Sequence, residues 1–188
     1  MSKYEVNDYG KIYSDFAYRL GIIARQYDEL QIEDEYKYES TLYICILQNL
    51  LTQFWQVKDW AKHSRRKTPF DVEVVWDREL PFWGIYLSDV KVPKEENLNI
   101  GDILEEIRHI LSHPLPVSSG LEYTSDSDLG KILLYNFIRK NQQQDIEFQV
   151  DLKSQQVKDL VAHLSDYLSN IAKEITERTE DHKDFVLS

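Results

Sequence analysis

Residues 105–116 read EEIRHILSHPLP, and two of the chain's five histidines stand there beside an arginine. On a helical wheel at about 100° per residue, Arg108, His109 and His113 fall on the polar side of the segment. His109 and His113 are four residues apart and are neighbours on that side. Glu105 precedes Arg108 by three and His109 by four, so it is placed to pair with either. Three chemistries fit these residue types. The first is an ordinary charged helix face. The second is a metal site, because Glu105, His109 and His113 recur at steps of four; however, no glutamate follows the first histidine as a base, and no further ligand is evident. The third is metal-free phosphodiester chemistry. That reaction needs a group that exchanges protons near neutrality, which is histidine. It also needs a fixed cation against the charge on a pentacoordinate phosphate, which suits arginine. This third reading calls for no cofactor.

The elements that must carry the cluster are mostly helical. Gly and Pro are scarce, at 6 and 5, so most of the chain belongs in regular structure. Ile12, Phe16, Leu20, Ile23, Ala24 and Tyr27 recur at helical spacing and predict a first helix from about Asp8 to Leu30. A second helix is predicted from about Tyr38 to Lys62. Its broad stripe of Leu42, Ile46, Leu47, Leu50, Leu51, Phe54 and Val57 is that of a central helix with neighbours on several sides. The third runs from Ile100 to about Ser112, capped by Asn97 or Asn99 and stopped by Pro114 and Pro116. Ile100, Ile103, Leu104, Ile107, Ile110 and Leu111 form its apolar face. Residues 70–98 read as an irregular excursion over the core, with short strands or helical turns. In them Trp76, Phe82 and Trp83 are expected to bury rather than to stack on bases. Ser118–Asp128 reads as a loop by composition. Ile146, Phe148, Val150 and Leu152 then alternate with polar residues as a half-buried strand. Ile132–Ile138 is its expected hairpin partner across the polar turn RKNQQQ. A last amphipathic helix is predicted from Ser154, with a charged tail, TERTEDHKDFVLS, that frays. The whole, residues 1–188, reads as one mainly α domain, with a hairpin-plus-helix appendage at 130–175.

Charge and cysteine content narrow the classes. The chain has 188 residues, 22 basic against 33 acidic, for a net charge of −11. That argues against an obligate, nonspecific nucleic-acid coat protein, since phosphate binding needs Lys and Arg. A local basic cleft is still open. Lys58, Lys62, Arg65, Arg66 and Lys67, with His63 among them, make one dense basic patch. It reads either as cations complementing a helix C-terminus or as an anion or RNA contact through Lys62, Arg65, Arg66 and Lys67. The single cysteine, Cys45, sits in the apolar run LYICILQNLL. It reads as a small buried hydrophobe and can build no disulfide within one chain. No segment has signal-peptide or membrane-spanning length, so a soluble, reducing, cytoplasmic setting is expected.

The segment RHILSHPLP resembles the signature of the HEPN superfamily (higher eukaryotes and prokaryotes nucleotide-binding domains). There an arginine is followed by a polar residue and, four to six residues after the arginine, by a histidine. Arg108, His109 and His113 fall on those positions. The layout is also similar to a plasmid-borne HEPN group. It shares a Phe-Ala-x-Arg run in the first helix (Phe16, Ala17, Tyr18, Arg19), Leu51 before Thr52 in the second, the His-Pro-Leu-Pro exit and a C-terminal hairpin with a helix. The resemblance implies an HEPN-like helical bundle that forms a homodimer, with the signature helices facing each other. It implies a metal-independent endoribonuclease, a toxin or defence effector acting on RNA, paired with an antitoxin or nucleotidyltransferase. In it Arg108 stabilises the phosphate, and His113 deprotonates the ribose 2′-OH or protonates the leaving 5′-oxygen. His109 orients these groups, and the product is a 2′,3′-cyclic phosphate. Other members of the superfamily are catalytically silent nucleotide-binding or protein-interaction modules, which is the alternative function.

Overall fold

The computed structural model describes residues 6–30, 39–63, 83–91, 99–112, 119–125 and 132–186. Four helices, α1 (Val6–Glu29), α2 (Glu39–His63), α3 (Ile100–Ser112) and α4 (Ser154–Val186), hold most of them. The remainder includes a four-stranded antiparallel sheet, so the fold is α+β with helices dominant. The sheet is formed by β1 (Val90–Lys91), β2 (Ser119–Ser125), β3 (Ile132–Lys140) and β4 (Ile146–Lys153), in the order β1-β4-β3-β2. No helix among the described residues is long and apolar enough to cross a membrane.

The predicted hairpin is the centre of that sheet. Tyr135 pairs with Leu152 and Phe137 with Val150. This register puts their side chains, with Phe148, on the core face, as alternation requires. The hairpin turns through Asn141–Asp145. The Asn141 N–H donates to the Asp145 carbonyl at 2.9 Å, and the Asp145 N–H donates to Asn141 Oδ1 at 2.9 Å. Gln144 takes a positive φ of 69° there and is exposed. A left-handed conformation strains a residue with a Cβ, whereas glycine adopts it freely. Gln144→Gly is therefore expected to raise stability by about 0.5 kcal/mol, the strain relief exceeding the entropy glycine adds to the unfolded chain. A higher denaturant midpoint at unchanged slope would show it.

The segment expected to be a loop at 118–128 is strand β2 over Ser119–Ser125. Composition misleads there because pairing with β3, from Ser119↔Arg139 to Ser125↔Ile132, supplies the backbone partners that the side chains do not advertise. At the opposite edge, β1 pairs Val90 with Val150. It is reached through a 3-10 turn at Leu87–Asp89, so short strands and turns do occur within 70–98. This piece is tied to α4 by Gln156. Its Nε2 donates to the Gly84 carbonyl at 2.9 Å and to Asp89 Oδ2 at 2.7 Å, and its Oε1 accepts from the Lys153 N–H at 2.9 Å. Trp83 is buried against Tyr167, ring centroids 4.9 Å apart. Trp76 and Phe82 lie outside the described residues.

The central role expected of α2 is borne out. Ile46, Leu47, Leu50, Leu51, Phe54 and Val57 are buried, and the helix touches α1, α3 and α4. Cys45, expected inside, is exposed. It shares the outward side of α2 with Asn49, Thr52 and Gln56, which follow it at helical steps and are exposed too. The stripe expected on α1 is also rotated. Phe16 and Ile23 are each 45% exposed, and the buried residues are Ala17, Leu20, Gly21 and Ala24. The cause is the close antiparallel approach of α4, where Ser165 Oγ donates to the Ala17 carbonyl at 2.6 Å. Small residues at 17, 21 and 24 let the backbones meet. At one end of this pair Tyr43 of α2 donates to Asp28 Oδ2 at 2.7 Å, and Lys158 of α4 reaches Asp28 Oδ1 at 3.0 Å. The hairpin and α4 share one buried cluster with α1, α2 and α3. The tail expected to fray continues α4 as far as Val186.

Candidate functional site

Helix α3 carries the site, and its limits follow from its own residues. Asn99 caps it: Asn99 Oδ1 accepts from the Asp102 N–H at 2.9 Å, and Asp102 Oδ2 accepts from the Asn99 N–H at 3.0 Å. This reciprocal pair satisfies two of the free amide groups at the helix start. Ile100, Ile103, Leu104, Ile107 and Ile110 are buried, as their spacing predicts, and Leu111 is half-buried. That packing fixes the rotation of the helix. Asp102, Glu105, Glu106, Arg108 and Ser112 become half-buried, and His109 is exposed.

Helices α2 and α3 run antiparallel across this surface. Lys58 sits beside the first turns of α3, Trp55 beside Arg108, and Gln48 beside the last turn. Gln48 Nε2 donates to the Leu111 carbonyl at 3.4 Å. The Arg108 guanidinium carbon lies 4.5 Å from the centre of the Trp55 ring. A planar, weakly hydrated cation on an aromatic face is a favourable contact, and stacking leaves the in-plane N–H groups aimed past the ring.

The acids beside Arg108 are engaged elsewhere. Glu105, expected to pair with Arg108 or His109, instead accepts from Lys58 Nζ at 2.6 Å, and Lys58 also lies 3.5 Å from Asp102. Glu106 is held by Arg139 of β3 through two parallel contacts, Nε to Oε2 at 2.8 Å and Nη2 to Oε1 at 3.0 Å. Arg139 also bonds Glu147 at 2.7 Å. Among the described residues Arg108 has no hydrogen-bond or ion-pair partner, and its Nε is buried without one. In a chain of net charge −11, an arginine three residues from one glutamate and two from another has neither. A buried, unbonded donor costs free energy unless something completes it. The chemistry that would complete this one is a planar or tetrahedral oxyanion.

The structure thus brings Arg108 and His109 to the same turn of α3, beside Trp55 and Lys58 of α2. His113, Arg65, Arg66 and Lys67 lie outside the described residues, and Lys62 is on α2 one turn past Lys58. Lys58, counted in the basic patch, is committed to the acids of α3. Trp55 is the residue that sequence reasoning missed. It stood in a run read only for its apolar stripe, and its partner is 53 positions away. Among the described residues no three His, Cys, Asp or Glu side chains gather as a metal site requires. His113, the third member of the Glu105/His109/His113 set, is not among them. No family model, no curated protein and no solved structure matches this chain.

Proposed function

We propose that the protein is a metal-independent endoribonuclease of HEPN type, with Arg108 as the cation that binds and stabilises the scissile phosphate. The observation that carries this reading is the state of Arg108. It is stacked on Trp55, its Nε is buried and unbonded, and the neighbouring glutamates are held by Lys58 and Arg139. The resemblance of Arg108, His109 and His113 to the HEPN signature supplies the rest. The 2′-oxygen of the ribose attacks the adjacent phosphorus, and the bond to the 5′-oxygen breaks. His113 takes the 2′-proton while water protonates the departing 5′-oxygen, or it protonates the 5′-oxygen while water takes the 2′-proton. Arg108 carries the charge that develops on the phosphorane, with no metal in the step. His109 orients the pair. A second copy completes the site across a two-fold axis, and the setting is that of a toxin or defence effector with a cognate antitoxin or nucleotidyltransferase. Lys62, Arg65, Arg66 and Lys67 are the RNA contacts that this reading assigns.

Incubation of single-stranded RNA with the purified protein in excess EDTA tests the reaction. Cleavage that persists in EDTA, leaves 2′,3′-cyclic phosphate ends and disappears in His113→Ala is expected. Cleavage abolished by EDTA would return a metal to the mechanism. No cleavage, with RNA binding intact in His113→Ala, would make the protein a silent nucleotide-binding module.

A further inference from the structure

Lys58 of α2 holds an acid of α3, Glu105, that is spaced to meet Arg108 on the same helix. Glu105 and Arg108 are three apart on one helix, a spacing at which a glutamate and an arginine ordinarily pair. They do not, because Lys58 reaches across from α2 and holds Glu105 at 2.6 Å and Asp102 at 3.5 Å. Lys58 is only about a quarter exposed, and Glu105 about a third. The contact is therefore less screened than a fully solvated pair. One turn earlier on α2, Trp55 holds the guanidinium of Arg108 from the ring face. The two α2 residues act on the same arginine in complementary ways, one by stacking and one by removing its competitor.

We infer that Lys58 is a positioning residue that keeps Arg108 open to a phosphate by sequestering Glu105. This rests on the reading of Arg108 as a phosphate-binding residue. Removing the Lys58 charge frees Glu105 to pair with Arg108 and adds an uncompensated negative charge beside the incoming anion. Asp102, six residues before Arg108, is too far along the helix to do the same. The site is then closed by its own helix, and a neutral residue at 105 reopens it. A lysine that touched the phosphate directly would not be replaced in this way.

The test measures binding of a 2′-O-methyl single-stranded RNA, which cannot be cleaved through its 2′-oxygen, by fluorescence anisotropy in EDTA. The proteins are wild type, Arg108→Ala, Lys58→Met, Lys58→Arg, Glu105→Gln and Lys58→Met/Glu105→Gln. Lys58→Met is expected to bind about three- to tenfold more weakly, the scale of a partly exposed charge interaction. Lys58→Arg and Glu105→Gln should stay within about twofold of wild type, and the double variant should recover to the same range. Because the double variant lacks Lys58 too, its recovery also shows that Lys58→Met did not act by unfolding the protein. A double variant as weak as Lys58→Met overturns the inference, and so does Lys58→Met binding like wild type while Arg108→Ala is impaired. The reading of Arg108 survives both of those results. Unimpaired binding by Arg108→Ala would remove that reading and the inference with it.

Discussion

Arg108→Ala is expected to lower the RNA cleavage rate about 10²- to 10³-fold, the usual loss when a charge-stabilising donor is removed from a reacting centre. Folding should be little affected. Among the described residues Arg108 has no hydrogen-bond or ion-pair partner for the variant to leave half-broken, and its α3 neighbours Ile107 and Ile110 stay packed. What is lost is the stack on Trp55, worth about 1 kcal/mol. Arg108→Lys separates charge from shape. Lysine keeps the positive charge but lacks the planar fork and the ring-stacking surface, so it should restore only part of the rate. Initial rates in EDTA, with circular dichroism beside each variant, measure both. Equal rates for wild type and Arg108→Ala would show that the stacked arginine serves the fold alone.

Gly21→Val is expected to cost about 3 kcal/mol of stability, the upper part of the range for overpacking a tight contact. A Cβ at position 21 would lie 2.2 Å from Ser165 Oγ and 3.0 Å from Ser165 Cβ. The hydroxyl cannot simply turn aside, because it donates to the Ala17 carbonyl from a fully packed position. The remaining escape is to part α1 from α4, which opens the contacts of Leu20, Ala24 and Leu164. A branched side chain forces that separation more than alanine, whose better helix propensity returns about 1 kcal/mol. For a chain of this size the melting temperature should fall by about 6–12 °C. A thermal melt of Gly21→Val matching wild type would mean that the two helices do not approach this closely.

What was legible in the sequence was what each segment settles for itself. The ends of α3 follow from the Asn99–Asp102 cap and the prolines after it, and its buried face from isoleucines and leucines at helical steps. The strand at 146–153 announces itself by alternation, and its hairpin partner by the polar turn between them. What was not legible depends on residues far apart in the chain. Nothing near Gly21 says that Ser165 will sit on it, so the stripe expected on α1 takes in Phe16 and Ile23, which are exposed, beside the buried Leu20 and Ala24, and leaves out Ala17 and Gly21. Nothing near Glu105 says that Lys58, 47 positions earlier, will claim it. Ser119–Ser125 looks like a loop because its pairing is supplied by β3. The same separation governs the candidate site. Arg108 could be singled out by its residue type and company, but its stack on Trp55 and its freedom from carboxylates are products of how α2 crosses α3.

The affinity of a non-cleavable 2′-O-methyl RNA for the wild-type protein and for Arg108→Ala, measured side by side in EDTA, bears most directly on the role of Arg108. It asks whether the arginine meets the nucleic acid, apart from any question of catalysis or metal. Wild-type binding that weakens about tenfold or more in Arg108→Ala, the scale of a lost charged hydrogen bond, is the expected result. Indistinguishable affinities for the two proteins would contradict the assignment of Arg108 to the phosphate.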